Sequence, residues 1–334
     1  MTSRSRRNLS HRIILGAFLT GYAASVFAQT SKPVLLVLNK ADSNLAIVDP
    51  ETGKIAAKVP TGEQPHEVAV SADGKLAFVT NYGPRGDGNT ISVIDLAARR
   101  ELHRVDISPL RGPHGVASAD GKAYFTAEVS KVIARYDPAE NKLDWLMGTG
   151  QNVTHMVVLT RDLSIIFAIN IGSNSVSAIE KSNARGGWNA TVIPVGQGPE
   201  GSSLSPDGRE LWVANSGDGT VSIIDVSTKK VSDTIAIHTQ HSNRLKFTPD
   251  GSRVLISDIG DGSVVVVDAK SRALIKRLPL GKSCEGILIA PDGSKAYVAV
   301  SGDNHVAVLD LKTLAPIGKL ETGNDPDGMA WAPR

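Results

Sequence analysis

Cysteine is nearly absent: of 334 residues only Cys284 carries a thiol. No disulfide can form within the chain, so packing must hold the fold. A lone thiol reads first as a small buried residue and second as a free group to be followed. Aromatic residues make up 4% of the chain, so core volume must come from Val, Ile, Leu and Ala. Long apolar runs are missing too. The stretch Ile13–Phe27 is broken by small residues and is too short to span a bilayer with ease. No block of Lys and Arg reads as a nucleic-acid footprint. Gly86-Asp87-Gly88 and Gly217-Asp218-Gly219 open no helix, which excludes a phosphate-cradling loop. Ser202 and Ser203 stand in no nucleophile-elbow context, and no C-x-x-C-H haem attachment occurs.

What is present begins with a leader. Arg4, Arg6, Arg7 and Arg12 form a basic front, the apolar stretch follows, and Val26-Phe27-Ala28 offers a cleavage site. Residues 1–28 therefore read as an export signal, and residues 29–334 as one domain in the periplasm or outside the cell. Ser5-Arg6-Arg7-Asn8-Leu9 also resembles a twin-arginine signal, and both export routes stay open. Loss of the leader turns the formal net charge of +2 into about −2, because four Arg and no acid leave with it. No membrane anchor is expected after that.

Glycine (32) and proline (17) are frequent and sit in a repeated phrase, clearest over residues 199–225. Small residues lead into Ser205-Pro206-Asp207-Gly208, whose Pro presets φ and whose Gly accepts positive φ. Leu211-Trp212-Val213 follows, then a break at 215–219, then the β-branched run Val221–Ile224 closed by Asp225. β-branched content and frequent turns decide for strands over helices. The closing acid recurs at Asp49, Asp95, Asp137, Glu180, Asp225, Asp268 and Asp310, spaced 46, 42, 43, 45, 43 and 42 residues apart. That period, with four strands per repeat, points to an all-β seven-bladed β-propeller of four-stranded antiparallel blades. The hairpin turn has Gly at 74, 121, 208, 251 and 293 but degrades to Thr160-Arg161-Asp162-Leu163 in one repeat. The ends complement each other. Three strand candidates from Val34 onward lack an inner strand, and the inner-strand candidate at Pro326–Trp331 has nothing after it. A blade shared between the N- and C-termini closes the ring and removes exposed edges, so a monomer is expected.

In a propeller the first strand of each blade lines the central channel. Counting back five residues from the turn in each repeat gives His66, His114, His155, Glu200, Asn243, Glu285 and Asp327. All seven are polar, at the mouth of one channel, with His241 and Cys284 within two residues of the ring. The ends of the second strands add Asn39, Asn81, Glu128, Asn170, Asn215, Asp258 and Ser301 to the same face. The Asn residues read as loop-ordering groups and the strand-closing acids as turn formers.

Phe78-Val79-Thr80-Asn81 and Trp212-Val213-Ala214-Asn215 look like a Y-V-T-N signature, and Pro113-His114-Gly115-Val116 like the P-H-G-V element before it. On these motifs the chain resembles, over residues 34–334, the YVTN-repeat seven-bladed propellers, including periplasmic YncE-like proteins. The resemblance implies the fold. It leaves the activity open, since P-H-G-V belongs to the ordinary repeat, where the His can simply cap a strand.

Two functional classes follow. In the first, the protein is a binding platform whose mouth takes a small ligand, a metal or an envelope protein, through His66, His114, His155, Glu200, His241, Asn243, Glu285 and Asp327. In the second, His66, His114 and His155 hold a divalent metal (copper, zinc or iron) for lyase, lactonase or redox chemistry, since imidazole suits these ions and carboxylates can complete a site. Related propellers such as nitrous oxide reductase and virginiamycin-type lyases place metals on such histidines, but neither full motif is present. The resemblance also allows a surface-adhesion or scaffold module, and nucleic-acid binding, against which the acidic mature charge argues.

Overall fold

A computed structural model describes residues 1–2, 33–182 and 187–333. The leader reading of residues 1–28 falls outside the described residues except for the first two, and residues 183–186 of the 182–188 loop fall outside as well.

The described residues form seven four-stranded antiparallel sheets. Blades are numbered here by their inner strands: blade 1, Pro65–Val70; blade 2, Pro113–Ala119; blade 3, Thr154–Leu159; blade 4, Pro199–Leu204; blade 5, Ser242–Phe247; blade 6, Cys284–Ile289; and blade 7, Pro326–Ala332. Each inner strand touches those of the blades before and after it, and the strand of blade 7 touches that of blade 1. The expected closure is present. Val34–Asn39 pairs with Pro326–Ala332, with Leu35 opposite Trp331 and Val37 opposite Met329. Among the described residues no helix is long and apolar enough to cross a membrane.

The core lies between blades. Second and third strands supply buried β-branched side chains that meet those of the next blade, as when Trp212, Val221 and Ile223 of blade 4 pack with Val254, Ile256 and Val265 of blade 5. Scarcity of aromatics is answered by placement: Trp212, Tyr136, Phe78, Phe125 and Phe167 are all fully buried. Cys284 is fully buried in such a cluster, and burial, then the carboxylates around it, pushes its thiol up to about 12.

The turn chemistry follows the residues. Gly74, Gly208, Gly251 and Gly293 take positive φ at one turn position, Leu163 adopts φ 57° at that position in the third blade, and Gly121 takes positive φ in the shorter turn of the second. The strand-closing acids cap the opposite face: Asp95 accepts the Ala98 amide at 2.8 Å and Asp225 the Thr228 amide at 2.7 Å. Glu180, the one glutamate of the series, instead pairs with Lys229 at 3.1 Å.

Candidate functional site

The ring positions are the second residues of the seven inner strands. A bulge follows each: the register shifts between Pro65 and Glu67, Pro113 and Val116, and Pro199 and Ser202. One residue further on, Gly115, Gly201, Gly286 and Gly328 let neighbouring inner strands approach. A Cβ on Gly286 would lie 2.1 Å from Asp327 O, and one on Gly201 2.3 Å from Asn243 O. Small residues thus bring the seven inner strands close enough for the ring side chains to meet.

On one side stand the histidines. The His114 and His155 rings lie with centroids 3.7 Å apart and the His66 and His114 rings 4.8 Å apart. Tyr82, from the loop after the second strand of blade 1, packs edge-on against His114 at 5.2 Å. Its hydroxyl donates to Glu128 Oε1 at 2.9 Å, and His155 Nδ1 meets Glu128 Oε2 at 3.0 Å. Ligand atoms of His114, Glu128 and His155 lie within 4.8 Å of one another, a donor set that fits a divalent transition metal. His66 falls outside that cluster, with its Nδ1 on the Gln64 carbonyl at 2.9 Å. Burial lowers the proton affinity of His66, and that of buried His114 more strongly, aided by the neighbouring His155. His114 is therefore a neutral imidazole at neutral pH.

On the other side stand carboxylates and two cations. Glu200 accepts from Asn243 Nδ2 at 2.6 Å, lies 3.4 Å from His241 Nε2 and 3.9 Å from His155 Nε2. Burial opposes its ionisation, but His241, His155 and Arg244 together hold it below the ordinary carboxylate range. The Glu200 contact raises His241 in turn. Lys40 contacts Glu285 and sits 3.6 Å from Asp327. Burial, then Asp327, raises Glu285 to about 7, whereas Lys40 and Arg244 overcome burial and hold Asp327 low. Glu285 thus titrates near neutrality beside Asp327.

The floor is a strut. Arg244 of blade 5 reaches across the channel to Glu67 of blade 1, Nε to Oε1 at 2.8 Å and Nη2 to Oε1 at 2.5 Å. These two occupy the positions where most blades carry glycine. Behind them, burial lowers the proton affinity of Lys246.

All eight residues expected at the mouth are thus brought to one face. The Asn residues act as loop-ordering groups there: Asn81 Oδ1 accepts the Gly62 amide at 3.0 Å, and Asp258 does the same for His241 at 2.8 Å. Sequence reasoning placed Glu128 on this face without assigning it to the site, and missed Tyr82, Lys40, Glu67 and Arg244. The signal was available for the last two: a charged residue stands one position past the ring where Gly is the rule. Tyr82 and Lys40 lie in loops, where no periodicity marks them. A cleft of about 350 Å³ on the opposite face, between Pro291 and Trp331, contains none of these residues.

Five polar atoms of the site are buried without a hydrogen-bond partner: His114 Nδ1, His155 Nε2, Asn243 Oδ1, Arg244 Nη1 and Asp327 Oδ1. Each such atom costs about 1–3 kcal/mol if it stays unsatisfied. The mouth is therefore built to hold polar matter.

A family model described as YNCE-like beta-propeller matches residues 14–333. Among solved structures, a hydrazine synthase of Kuenenia stuttgartiensis is similar at 19% identity and a TM-score of 0.73, over 88% of this chain and 99% of that one. A periplasmic gluconolactonase of Pseudomonas aeruginosa is similar at 18% identity and a TM-score of 0.74, over 90% of this chain and 99% of that one. At these identities the likeness concerns the fold. Comparison with curated proteins finds no match.

Proposed function

We propose, from the premise that the chain belongs to the YNCE-like β-propeller family, that it is an exported binding protein which takes a small polar ligand into the channel mouth. The observation that carries this reading is the convergence of five buried, unpartnered polar atoms from blades 2, 3, 5 and 7 on one cup. The Arg244–Glu67 strut crosses one residue further along the inner strands. Carboxylates outnumber cations around it, so a cation or a ligand rich in hydrogen-bond donors suits it best. The export signal read in residues 1–28 and the periplasmic setting of the Pseudomonas neighbour support an envelope location.

Thermal unfolding of the untagged protein against transition-metal ions, small carboxylates and amines tests this. A ligand at hundredfold excess over Kd stabilises by about 2.7 kcal/mol, a rise of several degrees. The gain is expected to vanish in His155→Ala and to persist in Asp225→Ala on the opposite face. A gain equal in both variants would contradict a mouth site.

One observation favours an enzymatic reading as well. Glu285 is raised to about 7 beside Asp327, which is held below the usual carboxylate range, an arrangement suited to general acid–base work. Given the neighbour named as a gluconolactonase, the assay to run is hydrolysis of gluconolactone. Turnover abolished by Glu285→Gln would establish this reading, and no turnover by wild type would end it.

A further inference from the structure

The contacts on the histidine side point one way. His155 meets the Glu128 carboxylate through Nδ1 at 3.0 Å. A carboxylate accepts and does not donate, so Nδ1 carries a proton and a lone pair on the ring lies at Nε2. Nε2 is the atom without a hydrogen-bond partner. It faces Glu200 Oε1 at 3.9 Å, within the roughly 4.2 Å that one ion can bridge at ordinary zinc–nitrogen and zinc–oxygen lengths. His114, stacked on His155 at 3.7 Å, leaves its own Nδ1 unpartnered. Both rings are more than nine-tenths buried, with 3% and 7% exposure. Glu128 is not loose: Tyr82 donates to its second oxygen at 2.9 Å. Thr126 fixes the backbone as well, donating to the His155 carbonyl at 2.7 Å.

We infer that His155 and His114 hold a divalent, zinc-class metal ion through the unpartnered Nε2 and Nδ1, with the Glu200 carboxylate 3.9 Å from Nε2, and that Glu128, held by Tyr82, is the positioning residue that sets the His155 tautomer. The inference rests on the binding reading above and names its ligand class. A carboxylate on the outer nitrogen of a ligating histidine fixes the ring and raises its basicity. Two imidazoles and one carboxylate suit zinc and its neighbours. The set differs from the three-histidine set expected from sequence, because His66 does not join the cluster.

The test is zinc titration of the untagged, chelator-stripped full chain by calorimetry, with nitrogen NMR of the histidine rings. Wild type is expected to bind one equivalent and to show His155 protonated on Nδ1 before metal is added. His114→Ala and His155→Ala should abolish stoichiometric binding, while His66→Ala should keep it. Glu128→Gln and Tyr82→Phe should weaken affinity about 10–100-fold, and Glu128→Ala should move the His155 tautomer. Unchanged affinity and tautomer in the Glu128 variants would overturn the positioning role, and loss of zinc in His66→Ala would overturn the proposed ligand set. If wild type binds no zinc but another ligand stabilises it through His155, this inference fails and the binding reading stands. If nothing binds at the mouth, both fail.

Discussion

Thr80 Oγ1 donates to the backbone carbonyl of His114, one blade further round the ring, at 2.5 Å. The same tie runs from Thr126 to the His155 carbonyl at 2.7 Å and from Ser257 to the Glu285 carbonyl at 2.6 Å. The hydroxyl inside the Y-V-T-N-like phrase thus anchors the ring residue of the following blade. Replacing Thr80 by Val keeps the shape and removes the donor, leaving a buried carbonyl without it. We expect a loss of about 1–3 kcal/mol in denaturant unfolding. A change under a few tenths would show that the tie is incidental.

Arg244 and Glu67 form the second structural relationship to be tested. Arg244 is 4% exposed and its partners come from across the channel. Removing one partner of a buried pair is costly because the other charge is left uncompensated. Arg244→Met should therefore destabilise by about 3–5 kcal/mol, and Arg244→Met with Glu67→Leu should recover much of that loss. A double-mutant cycle with no coupling would show that the strut carries no energy.

Glu285 makes stability depend on pH. Its value in the folded chain is raised from 4.5 to about 7, so between those values the folded state binds a proton that the unfolded state has lost. The contribution is full below the unfolded value and falls as pH rises through the folded one, by up to about 3 kcal/mol. Glu285→Gln should flatten this slope, and its melting temperature should exceed that of wild type at pH 8 by more than at pH 5. An identical slope in the two proteins would contradict the assignment.

Leu163 occupies a left-handed turn position, φ 57°, that four other blades give to glycine. That conformation costs a side-chain-bearing residue about 1–2 kcal/mol, partly offset by the greater freedom of glycine in the unfolded chain. Leu163→Gly should stabilise by several tenths of a kcal/mol to about 1. Destabilisation would mean that packing of the leucine outweighs backbone strain.

The fold was legible because it is repetitive. Seven closing acids, recurring D-G turns and complementary ends fix blade number, strand order and closure, and the register of one inner strand fixes the other six. The ring His66, His114, His155, Glu200, Asn243, Glu285 and Asp327 was legible for the same reason. Departures from the repeat were harder to read. Arg244 and Glu67 meet only because four blade steps around the ring bring residues 177 apart in sequence to one floor. The pairing of Glu128 with His155 depends on a side-chain direction that no spacing encodes. Lys40 acts from a hairpin turn, and turns carry no period.

The central claim is that the channel mouth is occupied by a ligand in the working protein. Native mass spectrometry of the untagged protein, isolated from the compartment in which it accumulates, tests it most directly. The account predicts a non-covalent mass on wild type, a metal ion or small molecule, that is missing from His155→Ala and retained by Asp225→Ala. Bare chains in all three, with no added ion or small molecule raising the melting temperature, would contradict it.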